Sequence, residues 1–525
     1  MRRIIEAAAV VAAAAAGLGA LMRFAPGYLL LQGFPADEAW TTAVHARSLA
    51  LTGALAFNPG APAPGVVSLL WTALLAPIHL LPDPATAVLA TKLLGLALHV
   101  ASALVLLRVL DVAGARALER VLGAGLVAFH PDLIAGSMSG LEVPLAALGA
   151  CALLRAAQAR AIWGAVAISA LLPLVRPDLA MIACLLPLFA IGRSGGAHLA
   201  RALAAAVIAS GAALALVLGR DRALGASLVG LPSPAALRLS LADAVIVGFR
   251  DLLGQIAVTD SSLLLLVAVA AAAWRLSTAG ARNAGLAARI PAAAVLTGLC
   301  FCAGVFALHP VAPSSTSGVF GLADQRHALA ALPLIAGLLP VVLREAAEAW
   351  LPGRARPVGT IALAAVLVVS VAVHAPRRHV LLASDARSVD ELQVAAGRLL
   401  ATASPAETIW AVFPGAIRYF GAARVIDLGG ASDPELAGPD AAGFLAAHAP
   451  RYIELVPRRT ELDPASRPLV KAVRLESRAR DVWTGSLPSE ERWIVLCADP
   501  AMSGRLAVDY RVLAFRCAPG PAPSR

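Results

Sequence analysis

Charge is scarce in this chain. Only 14% of its 525 residues are Asp, Glu, Lys or Arg, against about 25% in soluble domains, while 59% are hydrophobic and the mean hydropathy is +0.78. That balance excludes a soluble globular enzyme. Lysine is nearly missing: Lys92 and Lys471 are the two lysines, so almost all of the net charge of +10 rests on arginine. The arginines stand mostly in short connections between apolar runs, with no nucleic-acid motif beside them, and read as membrane topology rather than as a nucleic-acid surface. Neither GxGxxG after a strand nor a GxxxxGK phosphate loop occurs, so no soluble nucleotide site is expected. Of the six cysteines, Cys151, Cys184, Cys300 and Cys302 lie in apolar runs and read as packing, and no CxxC or Cys/His spacing supports a zinc site.

What is present is a series of Ala- and Leu-rich runs. At roughly 20 apolar residues per crossing they predict about eleven transmembrane helices within residues 1–374. Met1-Arg2-Arg3 and the run to Leu21 read as an uncleaved first helix, a cleaved signal being the alternative. Further crossings are expected at 84–110, 119–135, 141–157, 161–175, 178–192, 202–219, 259–275, 290–308, 328–343 and 358–374. With these limits the clusters Arg108/Arg116/Arg120, Arg155/Arg160, Arg193/Arg201, Arg275/Arg282/Arg289 and Arg344/Arg354/Arg356 fall inside with Arg2 and Arg3, as the positive-inside rule demands. The bookkeeping requires that the 16 residues from Val66 to Leu81 do not cross, which makes residues 23–83 one outer loop with two interfacial helices.

From residue 375 the composition changes. IWAVFP, ARVIDL, RYIELV and RWIVLC are strand-like runs separated by Gly, Pro, Ser and Asp, so residues 375–525 are expected to form an extracytoplasmic α/β domain. Cys497 and Cys517 each close such a run. The topology puts them in one oxidising compartment, where a disulfide worth roughly 3 kcal/mol and two separate thiols are the alternatives.

Charged residues that topology does not explain collect at the outer boundary: Asp37, Glu38, His45 and Arg47; His130, Asp132 and Glu142; Arg176 and Asp178; and His309, Asp324, Arg326 and His327. The helices hold almost no charge besides Lys92, which argues against an ion-coupled site at the bilayer midplane. Chemistry at the outer leaflet is the better expectation.

The first loop opens with Asp37-Glu38-Ala39-Trp40, carries Thr42, Ala46, Arg47, Leu49 and Ala50, reaches Phe57-Asn58-Pro59-Gly60, and continues to Gly65 and Leu70-Trp71. SGLE at 139–142, LVRPD at 174–178, RHALAALP at 326–333 and RVIDLGGASDPELA at 424–437 follow in order. In these motifs the chain resembles the GT-C class of polyprenyl-phosphate-sugar glycosyltransferases, in particular the branch of the cell-wall arabinofuranosyltransferases. It departs from that branch in having Glu38 for a second Asp, Asp178 where Glu is commoner, and APAP at 61–64 for a charged segment.

The resemblance implies a multi-pass protein of the bacterial plasma membrane, N-terminus cytoplasmic. It would pass a sugar, arabinofuranose for that branch, from a polyprenyl-phosphate donor to a cell-envelope glycan or lipid, with membrane lipid but no nucleic acid as partner. Inverting transfer needs a carboxylate to take the acceptor's proton; Asp37 is the expected base and Glu38 the second candidate. Arg47, Lys92, Glu142, Arg176, Asp178, Arg326 and His327 are the expected substrate-binding residues. No cofactor is required outright, and a divalent cation (Mg, Mn or Ca) stays open.

Local readings compete with each role. Asp37-Glu38 suits a helix N-terminus, Ser139 and Glu142 fit a capping box, Arg176 and Asp178 fit a local ion pair around Pro177, and Lys92 fits a snorkelling side chain. A lipid-carrier flippase or other transporter, or a non-catalytic envelope assembly protein, would carry the same loops and helices without needing Asp37.

Overall fold

The structure, a computed structural model, describes residues 1–24, 33–60, 66–159, 161–191, 197–223, 329–350 and most of 389–427, two short strands beyond them and scattered residues between. The expected crossing at 259–275 and most of those at 290–308 and 358–374 lie outside the described residues, as do Asp324, Arg326, His327, Cys497 and Cys517.

Alanine- and leucine-rich runs form helices close to the expected limits, interior glycines such as Gly17, Gly19 and Gly95 included. Arg2–Phe24 and Pro84–Val112 are, among the described residues, the two helices long and apolar enough to cross a membrane. The second starts at an N-cap: the Asp83 carboxylate accepts the amides of Ala85 and Thr86, with Pro84 at the first helical position. Val143–Gln158, Ile162–Val175, Ala180–Ile191, Ala197–Ala223 and Leu332–Trp350 pack with them into a bundle.

One expected crossing is corrected. The run at 119–135 is two helices, Ala117–Phe129 and Pro131–Ser137. Pro131 lacks an amide hydrogen and drives the residue before it out of the helical region. His130 accordingly takes φ −58 and ψ 122, and its ring nitrogen accepts the Asp132 amide.

At one end of the bundle the arginines of the N-terminus and of two expected inner loops meet carboxylates. Arg120 pairs with Glu6 and, at 3.2 Å, with Asp111, which also meets Arg3 at 3.3 Å; Arg344 reaches Glu119 at 3.1 Å and Arg116 reaches Glu348 at 3.0 Å. Arg3, Arg116, Arg120 and Arg344, assigned to one side by charge, thus share one end.

The first loop lies at the other end. Its helix Asp37–Thr52 stops at Gly53, whose φ of 71 is left-handed and whose amide donates to Leu49 O. Within 66–81 the structure has a helix of seven residues, Leu69–Leu75, and a 3-10 turn, Ile78–Leu80. Seven residues rise about 10 Å, far short of a bilayer, so this stretch does not cross as a helix.

The four strand-like runs form four strands, β1 Thr408–Ala411, β2 Arg424–Asp427, β3 Tyr452–Leu455 and β4 Ile494–Leu496, in the order β2-β1-β3-β4. β1 is parallel to β2 and β3, and β4 is antiparallel to β3. The connection from β1 to β2 is the helix Pro414–Phe420. Ile409, Ile417 and Val425 belong to the same continuous apolar core as Trp40 and Ala43, so this helix and sheet are seated on the first loop.

Candidate functional site

The site is built where the first loop meets the Pro414–Phe420 helix. Proline at 414 has no amide hydrogen, so Gly415 and Ala416 offer the first two unsatisfied amides of that short helix. Both point at Asp37. Its carboxylate accepts from Gly415 N at 3.0 Å and from Ala416 N at 3.2 Å. The approach is close enough to require glycine: a Cβ at 415 would lie 2.5 Å from the Asp37 carbonyl oxygen and 2.7 Å from the Thr41 amide nitrogen.

Asp37 is only 7% exposed. Burial raises its pKa to about 7; the two amide hydrogen bonds pull it down, and the charges of Glu38 and Asp427 push it up. Glu38, in contrast, is exposed on the first turn of the helix. The pair therefore divides into a buried carboxyl that titrates near neutrality and a solvated one.

Further first-loop residues hold the same contact. Asn58 makes a reciprocal pair with β2, donating to Val425 O at 2.7 Å and accepting from Val425 N at 2.9 Å. Arg418 donates to Phe57 O at 3.0 Å and Arg47 to Tyr419 O at 3.0 Å, the Arg47 guanidinium also lying over the Tyr419 ring. Trp40 packs between Phe34, Tyr419 and Phe420 at centroid distances of 4.9 to 5.2 Å. His79 shares a 3.0 Å hydrogen bond with the Tyr419 hydroxyl, and burial lowers the His79 pKa to about 4. Asn58→Ala is expected to cost about 2 kcal/mol, the sum of two lost hydrogen bonds. In limited proteolysis its C-terminal domain should be cut at lower protease concentration than in wild type; an unchanged pattern with an unchanged melting temperature would contradict this.

A second group lies beside it. Trp71 Nε1 donates to Gly140 O at 2.8 Å, which pins the Leu69–Leu75 helix to the SGLE turn. Gly140 sits at φ +81, and a Cβ there would meet the Phe34 ring at 2.6 Å. The expected capping box at Ser139 is not formed. The Ser139 hydroxyl donates to Gly136 O and accepts from Leu141 N within its own turn, and the next helix begins only at Val143. Glu142 instead faces Arg176, whose Nη1 reaches its carboxylate at 3.3 Å while Nε reaches Asp178 at 2.7 Å. The local pair expected at 176–178 is thus part of a buried triad in which the Arg176 side chain is 1% exposed.

Of the other expected residues, Lys92 is 1% exposed inside the bundle, which corrects the snorkelling alternative. His45 is fully buried against Phe57, and its two ring nitrogens have no hydrogen-bond partner among the described residues. Burial, with Arg220 nearby, lowers its pKa to about 3, so it packs as a neutral ring. Among the described residues no three His, Cys, Asp or Glu side chains converge as metal ligands.

Sequence reasoning missed Gly415, Ala416, Asp427 and Asp433. Asp427 ends β2, where its carboxylate accepts the Ser432 amide and its own amide donates to Asp433. Burial raises Asp433 to about 7. The string RVIDLGGASDPELA contained both acids and Phe413-Pro414-Gly415 the helix start, but neither string says which loop it will face.

In sequence, residues 384–501, which include all four strands, match a domain of unknown function (DUF8728). No curated protein matches the chain in sequence. In fold, the chain is similar to the archaeal oligosaccharyltransferase AglB from Archaeoglobus fulgidus, solved in complex with an inhibitory peptide and a dolichol-phosphate: TM-score 0.51, 12% identity, 94% of this chain and 75% of that one covered. It is also similar to ArnT from Cupriavidus metallidurans in the apo state, with TM-score 0.51, 13% identity, and 93% and 97% covered. A further structure of the A. fulgidus oligosaccharyltransferase, tethered to an acceptor peptide, aligns at TM-score 0.50 and 12% identity. At such identities the likeness is one of fold alone, a polytopic helical architecture.

Proposed function

We propose that this chain is a membrane glycosyltransferase of the GT-C class that transfers a sugar, arabinofuranose first among candidates, from a polyprenyl-phosphate donor to a cell-envelope glycan or lipid at the outer face of the bacterial plasma membrane. The observation that carries this reading is Asp37: a buried carboxyl with a pKa near 7 opening the first-loop helix of a fold similar to that of an oligosaccharyltransferase solved with a dolichol-phosphate.

In the proposed step the acceptor oxygen bonds to the anomeric carbon as the bond from that carbon to the phosphate oxygen breaks. Asp37 takes the acceptor's proton and the lipid phosphate departs with the bonding pair. Both Asp37 oxygens already accept one amide each, but a carboxylate oxygen has two lone pairs, so a further hydrogen bond from an acceptor hydroxyl is compatible with the observed contacts. A pKa near the working pH is what a general base requires. Glu38 is the alternative base. Lys92, Arg326 and His327 are the proposed phosphate-facing cations and Arg47 a further substrate-binding residue, whereas Arg176 is engaged by Glu142 and Asp178 and is better suited to holding loops than to binding substrate.

The test is release of polyprenyl phosphate by purified protein from a panel of lipid-linked sugars that includes polyprenyl-phosphoryl arabinofuranose, with and without envelope glycan. Release that depends on acceptor supports the reading. Translocation of the intact lipid-linked sugar between leaflets without release would favour a flippase instead.

A further inference from the structure

We infer that the C-terminal domain completes the site: the backbone amides of Gly415 and Ala416 are positioning groups for the Asp37 carboxylate, delivered from 378 residues along the chain. The inference rests on the reading of Asp37 as base. It assigns to this domain a task that neither a sugar-binding appendage nor an independent outer module would have.

Three observations bear on it. Each Asp37 oxygen takes one amide, Oδ2 from Gly415 and Oδ1 from Ala416, so the plane of the carboxylate is set by two donors fixed to one backbone. The backbone approach that allows this leaves no room for a side chain at 415. And the register of the contact is fixed independently by the reciprocal Asn58–Val425 pair and by Arg47 and Arg418, which donate to main-chain oxygens across it. Donors to a carboxylate stabilise its charged form, so the same amides keep Asp37 competent to accept a proton in a buried setting. Undocking the domain would leave the carboxyl without that support.

The experiment uses full-length protein in detergent and dicyclohexylcarbodiimide, which couples to protonated carboxyls. Labelling of Asp37 is followed against pH by peptide mapping in wild type and in Gly415→Ala, whose added methyl forces the amides away. The labelling midpoint is expected to move to higher pH in the variant. Turnover of polyprenyl-phosphoryl arabinofuranose should fall roughly 10- to 100-fold, the cost of a misplaced catalytic group, at unchanged KM. An unmoved midpoint overturns the proposal even if turnover is lost, because loss without a midpoint change is the signature of packing damage alone. Should Gly415→Ala fail to fold, Ala416→Pro removes one donor within the first helical turn, and the same displacement is required of it. Full turnover by Asp37→Asn would sink the base itself; an inactive Asp37→Asn with an unmoved midpoint in Gly415→Ala sinks only the positioning.

Discussion

Asp37→Asn is expected to lower sugar transfer by about 10²- to 10⁴-fold, the range that loss of a general base produces. The amide keeps the shape of the carboxylate but cannot take a proton. The structure adds a cost that the local sequence does not disclose: an asparagine amide group would set its own N–H2 against the amide of Gly415 or Ala416, because the native carboxylate accepts on both oxygens. The variant should therefore also lose about 1 to 3 kcal/mol, the penalty for leaving a buried donor unpaired. Turnover must be normalised to folded protein, with Asn58→Ala measured in parallel, since that change loosens the same junction without touching the carboxylate. If Asn58→Ala lost as much turnover as Asp37→Asn, the chemical role of Asp37 would be refuted and only a docking role would stand.

Replacing Arg176 by leucine is expected to destabilise the bundle by about 3 to 5 kcal/mol, as removal of one member of a buried ion pair does. The change removes the guanidinium that both Glu142 and Asp178 meet, at side-chain exposures of 2% and 7%. Arg176 sits where the Ile162–Val175 helix ends and Glu142 where the Val143–Gln158 helix begins, so the triad ties two helix ends together. Arg176→Lys should not rescue it, because two different guanidinium nitrogens serve the two carboxylates and a single ammonium cannot reproduce that fork. Thermal unfolding in detergent is the measurement, and a loss under about 1 kcal/mol for Arg176→Leu would mean that the triad is not a structural tie.

Where local pattern and tertiary packing agree, the elements lie close to their sequence limits. The helix at Pro84–Val112 and the four strands needed only apolar period, β-branched residues and flanking turn formers. The break at His130 was written in Pro131 but outweighed by the apolar run on both sides. Ser139 and Glu142 show the opposite failure. Their spacing satisfies a local capping rule, and the rule lost because a buried arginine 34 residues away binds the glutamate more strongly than a serine turn can.

The sequence by itself determined that this is a polytopic helical protein, that Arg3, Arg116, Arg120 and Arg344 would gather at one end of the bundle, and that the acidic pair at 37–38 opens a helix, because hydrophobic runs, charge asymmetry and helix starts are properties of contiguous residues. Only the tertiary structure decided that Asp37 is buried and Glu38 is not, that the Phe-Asn-Pro-Gly motif clasps β2, and that two amides from residues 415 and 416 hold the carboxylate. Those contacts join segments more than 360 positions apart. Main-chain donors and acceptors carry them, and since nearly every residue has the same amide and carbonyl, no side-chain pattern along the chain announces which ones will meet.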